Sequence, residues 1–403
     1  MKPAVQVDLY QYVSLHITTL KSSGIWFYIP HSVKTLRFWT NVMYRILVGI
    51  FVFILPTGAQ IISIIKLMTS GAEIQEIAAI INLVLTELLT SFKLLDLCIR
   101  RHQLMKLLKQ MKNEQLSSIP IPNLGIIEKS IKFSRLLYIL LVVCAVTDIF
   151  IHVIVVPGLD GFRTLPLKMD FLFFDVNDYF LYTYAYQILY KPMMILTFAS
   201  LQSMPWVFMI CTIRQFDILI YMFENMKDLI QDNKTKINID ENEVFEIIFK
   251  KCLRRHCVIK RFVSTVQATF SGQFLSTLAL SAGIICTTAV QILSIESPLH
   301  NIIELFWVLL YLFVFILILY VDSFLGNYVT VKSGRISTAV YNCPWVNLKP
   351  ELKRSIVMLI AETQRPLELS AGMKLLPVSL KTFTKVIFDF IQSVWLFIAS
   401  SLN

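Results

Sequence analysis

IIELFWVLLYLFVFILILYVDSFL, residues 302–325, is long and apolar enough to cross a bilayer as one helix, because the hydrocarbon core takes about 20 such residues. Six further segments meet the same criterion, at about 43–65, 74–96, 134–157, 182–211, 266–294 and 380–401. The chain is therefore expected to be all-α, a seven-span helical membrane protein. Its composition agrees. Of 403 residues, 56% are hydrophobic and 16% charged, with a mean hydropathy of +0.66. A soluble domain is nearer roughly 45–50% apolar and 25% charged, and a soluble protein of this size has no interior large enough for the excess. Disordered chains are poor in aromatics; this one has 12%, including 29 Phe.

Lys and Arg set the expected orientation. Five fall before residue 46, nine in 93–135, ten in 212–265 and eight in 326–381. Seven spans put all four regions on one side, giving 32 of the 37 basic residues. The positive-inside rule then predicts a cytoplasmic N-terminus and an extracellular C-terminus. Residues 1–40 show no compact apolar run with a cleavage site, so the first span is expected to serve as an uncleaved anchor, with 1–42 as a cytoplasmic N-terminal region. Residues 43–325 then hold six helices, with cytoplasmic loops at 97–133 and 212–265. Residues 326–403 hold a cytoplasmic helix near 351–365 and the last span. Residues 241–265 alternate apolar and basic positions as an amphipathic helix running into the fifth span. Pro192 and Pro205 are expected to kink or break the fourth span unless neighbours satisfy the freed carbonyls.

Catalysis finds no support. Cys252 and Cys257 lack a second pair, the histidines lack ligand spacing, and there is no Gly-rich phosphate loop or HExxH. No enzyme activity, metal or cofactor is predicted, and the basic clusters alternate with apolar spans in a way that argues against a nucleic-acid partner. By this topology Cys98, Cys252, Cys257 and Cys343 face the reducing side and the other three lie within spans, so no extracellular disulfide is expected. The sequon Asn233-Lys234-Thr235 falls in a cytoplasmic loop and is expected to carry no glycan.

Three features stand as functional candidates. In the last span Lys385, Asp389, Gln392, Leu396 and Ser400 share one helical face. That face reads either as a pore stripe with Leu396 as an apolar constriction, or as a helix–helix seam with Lys385 and Asp389 paired. In the third span Asp148 and His152 share a face; they line a ligand cavity or satisfy each other and the headgroups. The Tyr- and Met-rich start of the fourth span, with Tyr186, Tyr190, Met193 and Met194, is placed opposite Trp307 and Tyr311 of the sixth. Such walls suit a small volatile or lipid-like ligand, or form plain core or an interfacial belt.

The C-terminal third carries a resemblance. GNYVTVKSGRISTAVYNCPWVNL, followed by MLIAETQRPLELSAGMKLLPVSLKTFTKVI, resembles the signature region of insect odorant receptors. The matching positions include Gly326, Asn327, Ser333, Ala339, Tyr341, Trp345, Gln364, Pro366, Leu367, Ala371, Gly372, Ser379, Leu380 and Phe383. RRHCVIKRFVSTVQATFS, at the entry to the fifth span, is similar to that family as well. The resemblance implies a subunit of a tetrameric, odorant-gated, non-selective cation channel in the plasma membrane of olfactory neuron dendrites. It implies a shared co-receptor subunit as partner, a small volatile organic ligand bound in the outer half of the bundle, a cytoplasmic anchor, and a pore lined by the last span. Where many members end in a Ser-Tyr-Ser-Tyr-Phe-like run, this chain has Phe390-Ile391-Gln392-Ser393-Val394; alignment from Ser379-Leu380 puts Leu396 at the gate position. A gustatory receptor channel and a metabotropic seven-span receptor are the alternatives, the latter with an external N-terminus.

Overall fold

The computed structural model describes residues 4–25, 36–120, 123–159, 165–171, 174–176, 178–237, 241–295, 302–346, 348–372 and 374–401. The described residues are 84% helical, as lipid demands: with no water to bond free N–H and C=O groups, a spanning segment satisfies them within its own helix. The helices are α1 (Ser14–Ser22), α2 (Leu36–Gly49), α3 (Leu55–Ser70), α4 (Ile74–Ile99), α5 (Arg101–Met111), α6 (Glu114–Ser117) and α7 (Leu124–Phe150). They continue as α8 (Val156–Leu159), α9 (Phe180–Glu224), α10 (Met226–Ile237), α11 (Glu241–Leu293), α12 (Ile302–Tyr341), α13 (Pro350–Thr363) and α14 (Leu380–Ser401). Single π-helical turns, Ile50–Ile54 and Ile151–Val155, join α2 to α3 and α7 to α8.

Helices occupy all seven expected spans. Among the described residues six are long and apolar enough to cross a membrane; α14 is helical throughout, with its side chains from 393 onward outside the description. Several run far beyond the apolar windows. The fifth span and the amphipathic stretch before it are one 53-residue helix, and α12 continues for a polar extension to Tyr341. Helix α9 passes unbroken through both Pro192 and Pro205. Its apolar stretch is 94% buried, against 18–44% for the other five, so neighbouring helices surround it where an isolated helix would end. The outer helices turn apolar side chains outward, among them Ile54, Leu136, Leu189 and Phe313, as a lipid-facing surface requires.

The polar extensions gather at one end, the end rich in Lys and Arg. There β1 (Ala4–Gln6) pairs antiparallel with β2 (Ser118–Pro120), Val5 opposite Ile119. Arg255 of α11 is buried and donates to the carbonyl of Ser118 at 2.9 Å and to Gln215 Oε1 at 2.7 Å. At the opposite end Lys66 pairs with Asp170 and Lys168 with Glu76, at 2.7 and 2.6 Å, tying the segment after α8 to the α3–α4 turn.

Helix α1 lies in the basic end, packed on α7 and α9. His16 is wholly buried there, 4.8 Å from the ring of Tyr138, and neither ring nitrogen has a hydrogen-bond partner among the described residues. Burial pushes its pKa down from 6.5 to about 4. The unfolded chain therefore binds the extra proton between these values, so the contribution is complete above about 6.5 and is lost as pH falls toward 4. The loss is on the order of 3 kcal/mol. Thermal melts of the lipid-reconstituted chain at pH 7 and 4.5 test it: His16→Leu should flatten the decline, and an equal decline in both chains would assign it to other groups.

Candidate ligand-binding site

Four helices enclose a concave, largely apolar cavity of about 90 Å³, the character typical of small-molecule sites. Helix α4 contributes Leu83 and Thr86, and α7 contributes Leu141, Cys144, Ala145 and Asp148. Helix α9 supplies Lys191, Met194, Ile195 and Phe198, and α12 supplies Trp307, Leu310, Tyr311, Val314 and Phe315. The wall is mainly hydrocarbon and aromatic. Trp307 and Tyr311 stack at 5.5 Å, and Tyr311 meets Phe315 at 5.0 Å, as the i,i+4 spacing of α12 allows.

Most polar groups in this wall are hydrogen-bonded. Trp307 donates its indole N–H to Asp148 Oδ1. The Tyr311 hydroxyl lies against the Thr86 hydroxyl and donates to the Asn82 carbonyl at 3.1 Å. The Asn82 amide in turn reaches Gln291 at 3.2 Å, so a polar seam between α4 and α11 fixes the Tyr311 ring. Lys191, 5% exposed, sets its Nζ 3.6 Å from Asp148 Oδ2.

The sequence-predicted residues divide. Asp148, Met194, Trp307 and Tyr311 come together in this cavity. Tyr186, Tyr190 and Met193 pack in a second cluster, against α2, α3 and their π-helical turn. Tyr186 donates to the Phe51 carbonyl at 2.7 Å and stacks on Tyr190 at 5.0 Å. Tyr190 is buried, with its hydroxyl 3.5 Å from Glu87; that carboxylate also accepts from Thr57 at 2.8 Å and Gln60 at 2.9 Å. The side chain of His152, in the π-helical turn after α7, lies outside the described residues. In α14 Gln392 is exposed on the single chain, while the side chains of Leu396 and Ser400 lie outside the description.

Lys191 is the residue the sequence analysis missed. Its signal was present: an intramembrane acid calls for a cation, and Lys191 is the single charged residue of 182–211.

A second constellation joins the bundle to the last helix. Strands β3 (Ser370–Ala371) and β4 (Leu376–Pro377) form a short hairpin. Gln267 of α11 clamps Ser370 through three hydrogen bonds of 2.8–2.9 Å. Ser333 of α12 accepts from Leu367 N at 2.8 Å, and Gly372, with φ +55°, donates to the Ser271 carbonyl at 2.9 Å. At Gly326 any Cβ would collide with the carbonyl and side chain of Val378. Ser379 caps α14 through Thr382 N at 3.4 Å, a usual role for Ser, and Phe383 sets its edge to Tyr320 at 5.7 Å. Gly326, Ser333, Gly372, Ser379 and Phe383 of the signature run are thus the parts of one latch that fixes where α14 begins.

Comparisons with known proteins agree with this architecture. The chain spans little more than a third to three fifths of the curated relatives it matches. It is 26% identical to odorant receptor 2a of Drosophila melanogaster over 144 residues, 36% of each chain. It is 24% identical to odorant receptor 10 of Aedes albopictus over 234 residues, 58% of this chain and 60% of that one. The solved structure of the olfactory receptor OR5 from Machilis hrabei superposes with a TM-score of 0.77 over 96% of this chain and 98% of that one, at 16% identity. The structure of the same receptor in complex with eugenol gives 0.76 over 98% and 99%. At that identity the likeness is one of fold. The family model for the 7tm odorant receptor matches residues 73–388, most of the chain, and the chain belongs to the insect odorant receptor family.

Proposed function

We propose that the chain is the ligand-tuning subunit of an odorant-gated, non-selective cation channel, formed as a heterotetramer with a shared co-receptor subunit. It acts in the plasma membrane of olfactory sensory neuron dendrites. The observation that carries the reading is the aromatic-walled, largely apolar cavity between α4, α7, α9 and α12, in a chain of this family. The eugenol complex of the Machilis hrabei receptor supports the ligand class. Residues 1–42 and the basic extensions face the cytoplasm, as the positive-inside rule requires, so 43–325 form the ligand-binding bundle and 326–403 the anchor and pore segment. Gln392, Leu396 and Ser400 line the pore, with Leu396 at its constriction. Asp148, Met194, Trp307 and Tyr311 contact the ligand directly, whereas Tyr186, Tyr190 and Met193 hold α9 in place from behind.

The test is odorant-evoked current from cells expressing the chain with and without the co-receptor. Trp307→Ala removes one aromatic wall and about 1–3 kcal/mol of apolar contact, which should raise the half-maximal odorant concentration about 10- to 100-fold at unchanged surface expression. Dose–response curves that coincide with the native chain would remove α12 from the ligand site. Absence of current in any pairing would reject the channel reading.

A further inference from the structure

Lys191 is buried and lines the cavity, yet its Nζ makes no hydrogen bond among the described residues. Its counter-charge, Asp148, stands 3.6 Å away, beyond the reach of a normal N–H···O bond. A lysine ammonium carries three donors and no acceptor, and donors left unmet in a low-dielectric wall are costly. Among the other polar groups there, the Tyr311 proton is committed to the Asn82 carbonyl and the Trp307 N–H to Asp148. The cavity therefore has a surplus of donors, concentrated at one atom. It is close to neutral as a whole, because Asp148 balances Lys191.

We propose that Lys191 is the polar anchor of this cavity and selects neutral ligands bearing a carbonyl oxygen: ketones, aldehydes or esters with an apolar or aromatic body. The inference rests on the cavity being the ligand site. A carbonyl oxygen accepts two hydrogen bonds and offers none, which matches the surplus. An alcohol brings a further donor into a wall already rich in them. A carboxylate or an amine would leave one uncompensated charge beside the Asp148–Lys191 pair, at a high desolvation cost. The aromatic wall of Trp307, Tyr311 and Phe315 receives the ligand's body.

The experiment measures ligand-induced shifts in thermal unfolding of the full chain in lipid nanodiscs, since a ligand of the folded state stabilises it by mass action. The probes are acetophenone, ethylbenzene, benzylamine and benzoate, of similar size and differing in the polar group. Acetophenone is expected to half-saturate at a concentration about tenfold or more below that of ethylbenzene, the span of a hydrogen bond to a charged donor, with the amine and the acid weaker than acetophenone. Lys191→Met with Asp148→Asn keeps the site neutral and similarly filled; there the gap between acetophenone and ethylbenzene should close. A gap that persists in the double variant, a native chain that does not prefer the ketone, or preference for the amine or acid would each overturn the role of Lys191. Val314→Phe, which narrows the cavity from α12 two turns away from Trp307, separates the two readings. It should weaken acetophenone and ethylbenzene together, and unchanged binding of both would overturn the cavity as the site, and with it this proposal. Failure of all four probes to bind the native chain would also overturn both.

Discussion

Asp322→Leu is expected to destabilise the chain by about 3–5 kcal/mol, because it strands a buried cation. Lys93 of α4, Gln202 and Trp206 of α9, and Asp322 of α12 are all nearly inaccessible. Lys93 donates to the Gln202 carbonyl, the Gln202 amide reaches Asp322 Oδ2 at 3.4 Å, and the Trp206 indole donates to Asp322 Oδ1. Without Asp322, the Lys93 charge keeps, among the described residues, the Gln202 dipole and the face of Phe198 at 5.9 Å, while two N–H groups lose their acceptor. Replacing both charges, Lys93→Met with Asp322→Leu, should restore most of the loss, since an apolar pair of similar volume is often as stable as a buried ionic one. Thermal unfolding of the two single variants and the double variant gives the coupling directly. Additive losses would mean that the two charges do not sense each other through Gln202. The network also adjoins the cavity between α4, α7, α9 and α12, since Phe198 lines its wall and Asp322 borders a small space with Val378 and Thr382 at the root of α14.

Gly326→Ala should abolish ligand-evoked current and lower stability by about 2–3 kcal/mol. The new methyl group has no free volume: it meets the Val378 carbonyl, Cβ and Cγ1 at once. A flexible side-chain tip would swing aside, but the backbone of Val378 is held by its own bond to the Leu369 carbonyl at 2.9 Å. The collision is therefore relieved by displacing the hairpin and the start of α14, and overpacking of this kind costs about 1–3 kcal/mol or more. Gly334→Ala, two turns along the same helix, is the control. Its Cβ would find nothing nearer than Pro366 at 3.9 Å, so it should be neutral or slightly stabilising. Current and surface level from the two variants decide the matter, and equal tolerance would mean that the latch does not set the position of α14.

The sequence by itself placed the apolar helices, six of which among the described residues are long and apolar enough to cross a membrane, because lipid leaves a long apolar segment no other way to satisfy its backbone than a helix. Residues 302–325 need no knowledge of the rest of the chain to be read in that way. It also pointed to Asp148, Trp307 and Tyr311, since an acid within a span and aromatics one turn apart are local facts. What tertiary structure alone decided was rotation. Helix α9 is enclosed through its most apolar stretch and at its start exposes only apolar and aromatic groups such as Leu181 and Leu189, so no polar stripe marks the face that turns to the cavity. Tyr190 and Lys191, adjacent and both buried, point to different neighbours, the first to Glu87 and the second to Asp148. A helix with a solvated side would have shown this as a 3.6-residue pattern; a helix enclosed by others carries no such pattern. Long-range pairing was hidden for a related reason. β1 and β2 are three-residue strands more than a hundred positions apart, and neither has a propensity signal strong enough to announce it before α9 and α11 bring them together.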